Sequence, residues 1–172
     1  MAVAIRDATI DDARAIAQVH VRSWRWAYRG QIPDEFLDRL SVAERESTWR
    51  DRLGSAARGP RCVVAEEDDG AVVGFAAFGE PEDQAPPGAG ELLAIYLEED
   101  VAGTGVGSRL LEHATRGLRD QGWALASLWV LGSNDRARRF YERAGWAWDG
   151  TTSEHRFDCA NRPILRYVLD LT

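Results

Sequence analysis

The chain has 172 residues, 45% of them hydrophobic and 28% charged, which is ordinary for one soluble domain spanning residues 1–172 with a proper core. A formal net charge of −7 argues against binding nucleic acid through a broad basic surface; it either favours a cationic amine substrate or only confers solubility. No apolar run approaches about 18 residues and the first seven residues carry no secretory pattern, so no membrane span is expected and the expected location is cytoplasmic.

Residues 3–8 read as a first strand. Thr9 suits a helix start, and Ala13, Ile16, Ala17, His20 and Trp24 follow at a spacing that makes one apolar stripe. Trp24 and Tyr28 lie four apart and share a helix face, where they either wall an amine-binding pocket or pack against a sheet. Pro33-Asp34-Glu35 opens a second helix through Leu40, and Ser41-Val42-Ala43-Glu44 is a capping box for a third that ends near Leu53-Gly54. Residues 61–66 and 71–78 flank Asp68-Asp69-Gly70, a strong hairpin signal, so two antiparallel strands are expected. Residues 80–90, with Pro81, Pro86 and Pro87, read as a mobile loop. Cys62 and Cys159 have no metal-ligand spacing and read as structural thiols.

A strand-like run from Glu91 to Leu97 then leads to Gly103-Thr104-Gly105-Val106-Gly107, and an amphipathic helix begins near Ser108. Glycines let the backbone turn with its N–H groups inward, and a helix start adds unpaired donors and partial positive charge, which suits a pyrophosphate. A nucleoside-triphosphate loop would need lysine after the last glycine, and Ser108-Arg109 stands there. A dinucleotide fold would need a further glycine where Ser108 sits and an acidic residue closing the next strand, residues 125–131, which ends in Gly132-Ser133. Asn134 then caps a helix whose Ala137, Phe140, Tyr141 and Ala144 share one face and which Gly145 terminates. Residues 146–152 and 163–169 read as two closing antiparallel strands, with 153–162 between them.

The glycine block and the Asn134 helix together resemble the GNAT superfamily of acyl-CoA-dependent N-acetyltransferases, over residues 61–145. The resemblance implies an α/β (α+β) domain whose central mixed sheet of about seven strands splays at the cofactor cleft, with helices on both faces. It implies acetyl-CoA as co-substrate, with no metal. The CoA pyrophosphate would lie on Gly103, Thr104, Gly105, Val106, Gly107 and Ser108, the pantetheine arm would pair with the backbone of Ile95, Tyr96 and Leu97, and Asn134 would add a contact. Ala102 stands where the family usually has Arg or Gln, so one charge-assisted contact is missing and the amides must carry the phosphates. Of Arg136, Arg138, Arg139 and Arg143, one would reach a phosphate of the nucleotide unless all four form a solvated face.

The same resemblance makes Tyr141 the general acid near the CoA sulfur. Glu91, which opens the strand leading to the cleft, is the expected general base, acting through a water. A strand N–H at about residues 95–97 would stabilise the oxyanion. The acceptor would be the primary amine of a small molecule or peptide, with Trp24 and Tyr28 beside it, and the family allows a homodimer. His20 and His155 are either pocket bases or structural. Two other classes compete: a catalytically silent acyl-CoA-binding module, which Ala102 permits, and a protein-interaction domain using its aromatic surface.

Overall fold

Strand β2 (Arg61–Glu67) sends Cys62 and Val64 to one face and Val63 and Ala65 to the other, and all four are buried, so this strand must be covered on both sides. In the computed structural model, which describes residues 2–55, 60–82 and 84–172, helices supply both covers. On one face α1 (Ala13–Ala27) and α3 (Val42–Gly54) pack Ile16, Ala17 and Trp49 against Cys62, Val64 and Phe75. On the other, α4 (after the 3-10 turn Glu99–Val101; Val106–Asp120) places Leu110, Leu111, Ala114 and Leu118 against Val63, Ala76 and Phe78. Complete burial of Leu110 or Leu118 stabilises the fold by roughly 1.5–3 kcal/mol each.

The remaining strands are β1 (Val3–Asp7), β3 (Val72–Gly79), β4 (Ala89–Leu97), β5 (Leu125–Leu131), β6 (Ala147–Phe157) and β7 (Ala160–Asp170). With β2 they form a seven-stranded sheet in the order β1-β2-β3-β4-β5-β7-β6. Every neighbouring pair is antiparallel except β4 and β5. Helix α5 (Asp135–Arg143) lies on the α4 side through Phe140 and Tyr141, and the short α2 (Asp34–Asp38) follows α1.

The local signals hold where backbone chemistry decides them. Ser41 Oγ accepts the Glu44 amide (3.3 Å), and Gly70 makes the β2–β3 turn at φ 88°. A 3-10 turn (Ile10–Asp12) precedes α1; the Asp12 carboxylate accepts the Thr9 amide (2.7 Å) and pairs with Arg6 (2.8 Å), which holds it below the usual carboxylate range.

Two boundaries differ from expectation. Strand β4 begins at Ala89 because Ala89 and Gly90 pair with Leu125 and Ala126, so the preceding loop is shorter. Residues 153–162 are not a connection: they continue β6 and β7 to a turn at Asp158, where φ is 52°. Backbone pairing along the edge strand β6 needs no apolar side chains, so a polar sequence hid it. The described residues of the loop ahead of β4 are tied down twice. Glu82 N donates to Glu91 Oε2 (2.9 Å), and Arg166 donates to the Gln84 carbonyl (2.6 Å).

Candidate active site

The parallel ladder between β4 and β5 has only three pairs, Ala89 with Leu125, Gly90 with Ala126 and Glu91 with Ser127. Beyond them the strands part. β5 stays fully paired to β7 from Leu125 to Leu131, so it cannot follow β4. β4 meanwhile carries a bulge: Ala77 faces Ala94 while Phe78 faces Leu92, leaving Leu93 extra, and Leu93 and Ala94 both pack on the α1 face. A bulge bends a strand and raises its twist, which carries β4 away from β5. The gap is a cavity of about 730 Å³ walled by Ile95, Tyr96, Leu97, Leu128 and Val130 among others. Main-chain groups of β4 directed away from β3 there face the gap instead of a strand.

The glycine segment closes one end of this cavity. Gly103 and Gly105 have φ of 87° and 93°, and a Cβ on either would meet no protein atom within 4 Å. Gly105 caps α4, and Arg109 is the residue whose amide returns to the Gly105 carbonyl (3.2 Å). The amides of Val106, Gly107 and Ser108 are therefore the open first-turn donors of the helix. Gly107 is confined: a Cβ there would come 3.0 Å from Leu97 Cδ1.

The expected site residues divide. Gly103, Gly105, Gly107, Ser108, Ile95, Tyr96, Leu97, Asn134, Tyr141 and Tyr28 all line the cavity. Asn134 Oδ1 accepts the Ala137 amide (3.1 Å), so it is both helix cap and wall. Thr104 is exposed and off the wall, its hydroxyl and amide both spent on the Val101 carbonyl (2.6 and 3.3 Å). Val106 turns its side chain into the core, so only its amide faces outward for binding. Leu97 is half available, since its carbonyl accepts Trp26 Nε1 (3.3 Å).

Glu91 does not open onto the cleft. It belongs to the last bonded rung of the parallel ladder, is 7% exposed, and its Oε2 accepts the Glu82 amide. Trp24 also lies behind the wall, among Phe36 and Phe157, with its ring 5.1 Å from Tyr28 and 6.0 Å from Tyr96. The tryptophans on the cavity are Trp129 of β5 and Trp26, which the apolar stripe of α1 did not single out. Two residues after Trp24, it falls on nearly the opposite helix face.

Three tyrosines, Tyr28, Tyr96 and Tyr141, line the cavity. Burial raises the phenol pKa of Tyr141, with Tyr96 adding to it, so Tyr141 keeps its proton at neutral pH and can donate it. Burial likewise raises Tyr28 and Tyr96; Trp24 and Tyr28 partly offset the rise at Tyr96. His20 stacks on Tyr96 (5.1 Å, 17°), and its Nδ1 accepts Trp49 Nε1 (3.2 Å). Burial, with Arg45 and Arg52 nearby, pushes its pKa down to about 3, so it is a neutral structural histidine. His155 is exposed on β6 beside Phe157. Cys62 is buried, its thiol pushed up to about 12, and Cys159 is exposed. Of the four arginines of α5, Arg136 and Arg143 line the cavity, while Arg138 donates to the Tyr167 hydroxyl (3.2 Å).

The model of the acetyltransferase (GNAT) family matches residues 18–146. The chain belongs to this family. Among curated relatives, the N-acetyltransferase YuaI of Bacillus subtilis (strain 168) is 36% identical over 132 residues, covering 77% of this chain and 73% of YuaI. The spermidine N(1)-acetyltransferase of Thermoplasma acidophilum is 23% identical over 153 residues, covering 88% of this chain and 92% of that protein. In fold, this GNAT chain matches the crystal structure of the PaiA N-acetyltransferase from Thermoplasma acidophilum in complex with coenzyme A. The TM-score is 0.76 at 22% identity, covering 96% of this chain and 98% of the other. The GNAT chain is thus an acetyl-CoA-dependent acyltransferase, and its mixed seven-stranded sheet matches the fold of these neighbours. Among its described residues no group of His, Cys, Asp and Glu is placed to hold a metal ion, and no helix is long and apolar enough to cross a membrane.

Proposed function

We propose that the chain transfers an acetyl group from acetyl-CoA to the primary amine of a small molecule or peptide, by direct attack in a ternary complex. The observation that carries this reading is the parting of β4 from β5 after Glu91 and Ser127, in a cavity that ends on the open amides of α4. The glycine segment and helix start fit a diphosphate. The gap-facing main chain of Ile95 and the amide of Leu97 fit the amide-bearing arm, with Asn134 opposite, while the Tyr96 main chain is turned to Phe75 of β3 and only its side chain reaches the cavity.

The amine enters from the α1 side, beside Tyr28 and Tyr96. Holding it at about 3–3.5 Å from the thioester carbonyl removes much of the entropic barrier, so no acyl-enzyme is needed. A β4 amide at about residues 95–97 stabilises charge on the carbonyl oxygen. The N–C bond forms, the C–S bond breaks, and Tyr141 gives its proton to the leaving thiolate while the amine loses one to solvent, from which the Tyr141 phenolate takes a proton back. With Glu91 behind the wall, the amine reacts from its free-base form. Support for an amine acceptor comes from the relative named spermidine N(1)-acetyltransferase.

The test is a panel of amines, polyamines, amino acids and peptides, assayed for free CoA thiol released from acetyl-CoA. Release with at least one amine, at rates that give intersecting double-reciprocal lines, supports the reading. Binding of acetyl-CoA without release by any amine would instead make the chain a silent acyl-CoA-binding module.

A further inference from the structure

Arg136 stands in the first turn of α5 and Trp26 in the last turn of α1, on opposite sides of the cleft, yet the Arg136 Cζ lies 4.8 Å from the Trp26 ring centroid. Both side chains line the cavity. The indole is itself fixed, because its Nε1 donates to the carbonyl of Leu97, the last residue of β4. The guanidinium is therefore held where β4 gives way to the glycine segment, in the same cavity as Gly103, Gly105 and Ser108.

An aromatic face orients a cation without neutralising it, and it leaves the guanidinium fork free to form paired hydrogen bonds with phosphate oxygens. Among the described residues no ion pair includes Arg136, whereas Arg138, two positions on, pairs with Asp135 (3.6 Å) and bonds Tyr167. The glycine segment has only amides to offer, since Ala102 brings a methyl group to the cavity.

We propose that Arg136, oriented by the Trp26 ring, is the cation that binds the diphosphate of the acyl donor in this chain, supplied from α5 and not from the glycine segment. The proposal rests on the reading that acyl-CoA fills the β4–β5 cleft. Arg136 is exposed, so its replacement leaves the core intact.

The experiment compares two donors with the same thioester and arm, acetyl-CoA and S-acetylpantetheine, which has no phosphate. Arg136→Gln raises the KM for acetyl-CoA about tenfold, with kcat within twofold, and leaves the KM for S-acetylpantetheine within twofold. Trp26→Leu, which removes the ring, shifts the acetyl-CoA KM in the same direction, and Trp26→Phe, which keeps a ring, restores part of the loss. An unchanged acetyl-CoA KM in Arg136→Gln, or an equal rise for both donors, overturns the proposal. Failure of the parent enzyme to bind or turn over acetyl-CoA at all would instead overturn the reading of the cleft.

Discussion

Glu91 and Ser127 form the last rung of the parallel β4–β5 ladder, and the Ser127 hydroxyl donates across it to the Gly90 carbonyl (3.3 Å). Everything the cleft does depends on the strands being bonded up to this rung and parted beyond it. The Glu91 carboxylate is buried there and accepts the Glu82 amide, and we propose that its contribution is to the fold. Glu91→Ala should lower the unfolding free energy by about 1–3 kcal/mol in urea titrations. Glu91→Gln should leave the rise of kcat/KM with pH unchanged, following the acceptor amine's own ionisation. A flattened profile in Glu91→Gln would return the general-base role to this residue.

Tyr141 carries the opposite expectation. It lies on the cavity wall with its proton retained by burial. Tyr141→Phe should reduce kcat by about 100-fold or more while the Kd for acetyl-CoA stays within twofold, because only proton donation to the thiolate is lost. Undiminished turnover would remove Tyr141 from the mechanism.

Gly105 adopts φ 93° with open cavity where a side chain would stand. Gly105→Val should cost about 1–2 kcal/mol through the left-handed backbone and also obstruct the ligand, so CoA binding is abolished. Gly117 is the control. A Cβ there would approach Phe78 Cε2 to 2.4 Å, so Gly117→Ala should lower the melting temperature without weakening CoA affinity in the material that remains folded. Thermal melts with and without CoA separate the two. Normal CoA binding by Gly105→Val would contradict the role given to this segment.

His20 predicts an acid-sensitive fold. Its folded pKa is pushed down to about 3 from an ordinary 6.5, so between those values the unfolded chain takes up a proton that the native chain refuses. Its contribution to stability is complete above about pH 6.5 and is lost on acidification towards pH 3, at about 1 kcal/mol per pH unit. His20→Gln, which can still accept the Trp49 N–H, should show a shallower fall in unfolding free energy between pH 6 and pH 4 in urea titrations. Equal slopes in parent and variant would contradict this assignment.

The sequence disclosed what short stretches of backbone decide. The positive φ of Gly103 and Gly105, the Asn134 cap, the Ser41 cap and the Gly70 turn are all local chemistry, legible from residue type and spacing. Where the β4–β5 ladder ends was not legible, because that is settled by β7 holding β5 and by the Leu93 bulge against β3, both long-range pairings. Glu91 lies off the cavity wall for that reason: a residue of β4 points to the cleft only where the strands have already parted. For Trp24 and Tyr28 the four-residue spacing did place the rings together, but Phe36 and Phe157, brought in from distant elements, decide that Trp24 lies behind the wall. Arg136 was visible only as one of four arginines until its position over Trp26 set it apart.

Calorimetric titration of acetyl-CoA into the folded protein tests the central claim most directly, that the β4–β5 cleft and the α4 amides hold the acyl donor. The account predicts saturable one-to-one binding that Gly105→Val abolishes, together with a thermal shift worth about 2.7 kcal/mol at a hundredfold excess of ligand over Kd. No heat and an unmoved melting temperature at saturating acetyl-CoA would contradict it.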